Sequence, residues 1–438
     1  MSTPLWNYNE SYYTALTEGA SYCIKTDEVK GKGLFARVKI REGDIVHEET
    51  ALCCSQNLDD AVNEVSACGN CLLSLESPSE CVARVTNNAT LARALPYDHL
   101  YTSCRKVKCL FEACGCTMVF CSVRCRETAW SRYHFAGCRG KMTEDQKKAY
   151  DELLRHDWLS RGVNYSDTVF LAFRFVCMFL TNIRMHHQPP EVAYCPVMQL
   201  VKAPLTDFRF TYLLSSSSDA SGDAGGVGNQ SKGEGKSGDR CVTTQHTDGH
   251  PVKDDDGEMT ETFINEGLRL VDNILKFSEE ERRFLTPSQW SELLGAILLN
   301  GQERSTRSNY DRLRNIVKGI PGGNSVIKAF DEEVSNARVD PQQLLFGSRG
   351  QGVYAVGSLF NHSCEPNLQV LNSATGDETL VVEALRDCEP GEELYISYID
   401  ESLPYAIRQQ QLREHYLFEC RCSKCVRESP GGGATNGA

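Results

Sequence analysis

Long apolar runs are missing from this chain of 438 residues. The longest, Val169 to Leu180, is interrupted by Arg174. It falls short of the about 20 residues that span a bilayer, so a buried core helix and no membrane partner are expected. The opening residues, Met1 to Tyr8, carry neither the basic cluster nor the apolar segment of a signal peptide. An intracellular protein, in the nucleus, the cytoplasm or both, is expected. An excess of positive charge is missing as well. The chain has 46 Lys and Arg against 59 Asp and Glu, a formal net charge of -13. That excludes a surface built throughout for nucleic acid, leaves a local DNA-binding patch open, and favours a basic partner. There is no HExxH-type helix, which excludes the common zinc-hydrolase arrangement, and there is no internal repeat. Apolar residues make up 41% and charged residues 24%. These are ordinary globular values, in a chain long enough for two or three compact units.

Cysteine is what the chain has in abundance, 21 in all. In a reducing compartment clustered cysteines indicate metal rather than disulfides. Cys68 and Cys71 form the first pair, followed by Cys114 and Cys116, Cys121 and Cys125, and His134 and Cys138. Eight sulfur and imidazole donors in closely spaced pairs suit two tetrahedral zinc ions. An interleaved pattern is expected, with 68/71 and 121/125 on one ion and 114/116 and 134/138 on the other. Cys114 and Cys116 are closer than a usual knuckle, so Cys109 and Cys104 stand as alternatives to Cys114. A second cluster, Cys420, Cys422 and Cys425, leaves one position of a third ion open, and Cys364 is the expected fourth ligand. The competing reading is free buried thiols or a local disulfide.

Elsewhere the pattern alternates between β and helical. Short strands are expected at 21–26, 33–38 and 44–52, and again at 368–371, 379–385 and 392–398, with turns at Gly376-Asp377 and Pro390-Gly391. Helical periodicity occupies 141–198, 260–299 and 309–336, and Pro404 opens a last helix reaching Tyr416. Residues 215–258 are rich in Ser, Gly and Asp and poor in aromatics, so a disordered insertion is expected there.

Three further motifs stand in order: Lys30-Gly-Lys-Gly-Leu-Phe-Ala36, Asn361-His-Ser-Cys-Glu-Pro-Asn367 and Gly391-Glu-Glu-Leu-Tyr-Ile-Ser-Tyr398. The first is no dinucleotide fingerprint, because no helical pattern follows it. Together with the terminal Cys-x-Cys-x2-Cys they resemble the SET family of lysine methyltransferases. The intervening cysteine/histidine cluster resembles a MYND zinc finger, so the whole is similar to the SET-and-MYND-domain methyltransferases. No helical-repeat domain is expected after Cys425. This, with Asn300-Gly-Gln302 and the 417–422 segment, resembles one branch of that family.

The resemblance implies an α+β protein: a β-rich SET fold with an inserted MYND-type finger, a helical insertion and a zinc-binding post-SET tail. The implied boundaries are SET residues 20–66 and 341–400, the finger at 67–139, and helical regions at 140–214 and 259–340. The post-SET helix and cluster take 401–427, with a disordered tail at 428–438. It implies S-adenosylmethionine as cofactor and three structural zinc ions. Lys32, Gly33, Asn361 and His362 would contact the cofactor, with Ser358 and Asn300 on the same side. Tyr398 would be the catalytic tyrosine and also touch the cofactor. Tyr416 and Phe418 would flank the adenine or the lysine channel. The implied partner of a monomeric enzyme is a histone or another basic protein, such as a ribosomal one, and a proline-rich peptide could dock on the finger. The alternative is a catalytically silent scaffold acting as an adaptor through that finger.

Overall fold

The computed structural model describes residues 10–27, 30–101, 106–160, 163–208 and 256–430. The expected disordered insertion lies outside the described residues up to 255, and the helix Asp256–Leu275 already includes its last three residues. The end of the tail, 431–438, also lies outside them.

Small antiparallel sheets form one half of the molecule. Tyr22–Asp27 and Gly31–Ala36 make a hairpin with Thr26 opposite Lys32, and Gly31, at φ +77°, allows its tight turn. Leu380–Ala384 is the middle strand of a second sheet, between Leu368–Asn372 and Ile45–Glu49. The segment expected as a strand over 392–398 divides its pairing. Its first part exchanges backbone bonds with Leu34 and Ala36, and Tyr395–Ile396 then pairs in parallel with Asn361–His362. That parallel pair joins two of the three sequence motifs, and the hairpin brings in the third. Tyr13, Tyr22, Leu34, Phe360, Leu368, Leu380 and Ile396 fill the core beneath.

A third sheet, Cys53–Gln56, Phe346–Val353 and Gly301–Arg307, connects this half to the helices. Ser166–Arg184 is the central helix. It is long and apolar enough to cross a membrane by composition, but 72% of its apolar window lies inside the fold. Arg174, within it, donates to the carbonyls of Cys54 and Gly69 and lies over the ring of Tyr133. Its charge is thereby satisfied by backbone and an aromatic face.

A separate helical lobe fills the long gap after Cys71. Pro78–Thr86 and Ala89–Arg93 pack Cys81, Val82, Leu91 and Leu95 against Tyr310, Leu313, Ile327 and Phe330. Those last residues come from Asn309–Lys318 and Gly323–Asn336, which leave the third sheet between two of its strands.

Candidate active site and metal clusters

Six residues from three motifs, Lys30, Lys32, Gly33, Asn361, Glu393 and Tyr395, meet beside the hairpin. The Asn361 amide donates to the Lys32 carbonyl at 3.2 Å and to Glu393 Oε1 at 2.9 Å. A Cβ on Gly33 would lie 2.7 Å from Asn361 Nδ2, so glycine is what permits this approach. Glu393 also accepts from Lys30 Nζ at 2.8 Å and from the Tyr395 hydroxyl. Burial opposes its charge, but the Lys30, Tyr395 and Asn361 donors hold its carboxyl below the ordinary range. Lys32 Nζ donates to the Gln199 carbonyl at 2.6 Å and to Tyr13 at 3.2 Å. Burial brings its ammonium down to about 8.

His362 and Tyr398 form the next layer. The Tyr398 amide donates to His362 Nδ1 at 3.0 Å. Burial, and then the Arg408 charge, lower His362 to about 4, so its imidazole is neutral at pH 7. With Nδ1 accepting, the ring proton sits on Nε2, which donates to Cys364 Sγ at 3.3 Å. The Tyr398 hydroxyl donates to the Phe360 carbonyl at 2.6 Å, and burial pushes it well above its ordinary value. Tyr416 stands 4.9 Å from the Tyr398 ring, and its hydroxyl donates to the Tyr398 carbonyl. Phe418 lies edge-on to Tyr398, 6.4 Å away, and 6.0 Å from His362.

Two residues expected on this side are engaged with backbone. Asn300 Nδ2 donates to the carbonyls of Val201 and Ala296, and Ser358 donates to that of Tyr354. Asn300 ends the helix Pro287–Asn300, and Ser358 lies within the turn Gly357–Leu359.

Three clusters of donors could hold metal: Cys68, Cys71, Cys121 and Cys125; Cys109, Cys116, His134 and Cys138; and Cys364, Cys420, Cys422 and Cys425. Tetrahedral zinc with bonds of about 2.3 Å sets its sulfurs about 3.8 Å apart. The separations of Cys71 to Cys121 and to Cys125 are 3.8 Å, Cys109 to Cys138 is 3.7 Å, and Cys364 to Cys425 is 3.5 Å. Disulfide sulfurs would be about 2.0 Å apart. Donors of sulfur and imidazole alone, at these spacings, fit zinc.

Cys114 does not join a cluster, and Cys109 takes its place. The reason is local. The two-stranded pairing of Val107–Lys108 with Val119–Phe120, extended by a Cys109 amide bond to Met118, brings Cys109 beside Cys116. Between them a 3₁₀ turn over Glu112–Cys114, closed by Gly115 at φ +93°, turns Cys114 to solvent. Cys104 lies outside the described residues.

A SET domain model matches residues 31–399. The chain belongs to the SET-domain family. The SET fold here carries two further zinc modules, the first two clusters fitting a MYND finger and the third a post-SET site. Human protein-lysine N-trimethyltransferase SMYD5 is 25% identical over 413 residues, 91% of this chain and 85% of its own length. The Danio rerio SMYD5 is 26% identical, covering 93% of this chain and 88% of that protein. Human histone-lysine N-methyltransferase SMYD3 is 43% identical over 76 residues, 17% of each chain.

Sequence reasoning passed over Lys30, Glu393, Glu49 and Arg408. Glu393 stands inside the Gly391–Tyr398 motif, and its role emerges only from its contacts with Asn361 and Lys30. Glu49 accepts from the amides of Ala355, Val356 and Gly357, directly ahead of Ser358. Arg408 lies in a helix whose charges show no pattern.

Proposed function

We propose that this chain transfers a methyl group from S-adenosylmethionine to the side chain of a lysine in a basic protein, a histone or a ribosomal protein. The observation that carries the reading is the packing of His362 and Tyr398 against Phe418, and of Tyr398 against Tyr416, beside Asn361 in the same short strand as His362. The likeness to SMYD5 over most of the chain supports it. When bound, the cofactor would supply a methyl carbon on a cationic sulfur.

Lys32, Gly33, Asn361 and His362 would hold that cofactor, Lys32 meeting its carboxylate with a charge that binding would reinforce. Tyr398 is too weak an acid to be ionised, so its hydroxyl orients the reacting groups rather than taking a proton. The half-buried rings of Tyr398, Tyr416 and Phe418 would favour the neutral amine of an incoming lysine. The rate then derives chiefly from alignment, with reacting atoms about 3 Å apart. We propose further that the enzyme is a monomer working inside the cell, where thiolate ligands stay reduced. In the same reading the finger docks a proline-rich peptide.

The test is transfer of labelled methyl from S-adenosylmethionine to histones and to a ribosomal protein fraction. Tyr398→Phe is expected to lower kcat by about 10²-fold or more while cofactor binding by calorimetry persists. Absence of both transfer and cofactor binding in the unaltered protein would replace this reading with that of an adaptor.

A further inference from the structure

The post-SET cluster sets a charge problem. Four thiolates around a divalent cation carry a net charge of -2, here among side chains that are largely buried: Cys364, Cys420 and Cys425 expose 2%, 7% and 2%. Such a charge requires compensation close at hand. One cation is packed against these sulfurs. Arg408, 1% exposed, donates Nε to Cys364 Sγ at 3.3 Å and Nη2 to Cys425 Sγ at 3.7 Å. Nη2 also reaches Glu428 Oε2 at 2.7 Å, and Nη1 donates to the Leu403 carbonyl. The next residue, Gln409, binds the backbone of Cys420 through both its amide atoms.

Cys364 also accepts from His362 Nε2. A continuous chain therefore runs from Arg408 through Cys364 and His362 to the amide of Tyr398. We propose that Arg408 is a positioning residue. Its guanidinium, shared with Glu428, sets a positive charge directly against the sulfurs of the third zinc cluster, and through Cys364 it fixes the His362 ring against the backbone of the catalytic tyrosine. A planar fork can reach two sulfurs and a carboxylate at once, which an ammonium cannot. The inference rests on zinc filling the site and on the methyltransferase reading.

The experiment counts and times zinc in the full chain. Native mass spectrometry gives the number of ions, and a chromogenic chelator gives the rate at which each equivalent leaves. The unaltered protein should hold three. In Arg408→Gln one equivalent should leave at least about tenfold faster, since partners of metal ligands typically contribute 10- to 100-fold in affinity. Cofactor affinity should fall even while three ions remain bound, and Arg408→Lys should restore release only in part. Arg413→Gln, an exposed change on the same helix, should match the unaltered protein. Where Arg408→Gln does not fold, Glu428→Gln serves. It removes the anion that competes for the guanidinium, leaves that charge to the cluster alone, and should slow release of one equivalent by a few-fold.

Unchanged release in folded Arg408→Gln, or in Glu428→Gln where that variant has to serve, overturns the proposal. So does an unaltered protein with only two ions, which removes the metal premise itself. Loss of methyl transfer with normal cofactor binding and normal zinc release would count against the role of Arg408 and leave the methyltransferase reading intact.

Discussion

Lys32 donates to a carbonyl and a phenol, neither of them a carboxylate, and burial brings it down to about 8. Its unperturbed value is about 10.4. Between those limits the unfolded chain holds a proton that the folded chain has released. The contribution of Lys32 to stability therefore rises with pH through that window. Denaturant midpoints of the cofactor-free protein, measured from pH 7.5 to 10.5, should gain on those of Lys32→Met as pH rises, whereas buried thiols such as Cys53 and Cys81, pushed up by burial, act on both proteins alike. Cysteines yield a sharper contrast. Cys109→Ser removes a donor packed 3.3 Å from His134 and 3.7 Å from Cys138, so it should lower zinc content by one equivalent. Cys114→Ser changes an exposed thiol and should leave metal content and stability unaltered. Spacing alone did not decide between them, because both fit a plausible knuckle. The choice is made by the strand pairing across the knuckle and by a left-handed glycine.

At the scale of elements, the helical lobe couples two stretches of chain more than 200 residues apart. Asn309 Nδ2 donates to the carbonyls of Ser74 and Glu76, and Tyr310 and Phe330 pack against Cys81 and Leu91. Phe330→Ala should cost about 3–5 kcal/mol. Hydrogen exchange should then quicken in 78–93 as well as in 309–336, whereas a lobe of independent helices would respond only in the second. The helices of 309–336 were legible from apolar spacing, but Pro78–Thr86 and Ala89–Arg93, within the stretch expected as zinc finger, were not; the strands of the first two sheets were legible from alternation. Gly301–Arg307 and the start of Phe346–Val353 were not. Gly-Gln-Glu-Arg-Ser-Thr-Arg has no apolar alternation to read, and its buried members are Arg304 and Thr306. Arg304 is held there by the carbonyls of Leu371 and Thr379. Tertiary hydrogen bonding, which no local pattern encodes, makes that strand. The three motifs of the candidate site, by contrast, stand out in the sequence because glycine, asparagine and cysteine are demanded one by one by close approach, hydrogen bonding and a metal-fitting donor set.

For the whole molecule, the finger is no detachable module. Cys68, Cys109, Cys116 and Cys138 belong to the same buried core as Phe173, Phe179 and Trp290 of the central helices. Arg132 reaches from the finger to the carbonyls of Ala51 and Leu52 at the edge of the SET sheets, and the Glu378 amide bonds the Cys71 carbonyl. Interleaving requires both ions of the finger for either pair of loops to close. Metal binding energy is here folding energy for the shared core, not for the finger alone. Prolonged chelation should therefore lower the main thermal transition of the entire protein. It should expose the central helix Ser166–Arg184 to hydrogen exchange, with a dependence on chelator concentration. A finger hanging free of the SET fold would instead lose its own protection while the main transition stayed in place. The third cluster gives the opposite pattern, because its core is the small separate group of Cys364, Leu412, Cys420 and Cys425. Its metal should leave with local loosening of 405–428 and loss of cofactor binding, ahead of any change in the helical core.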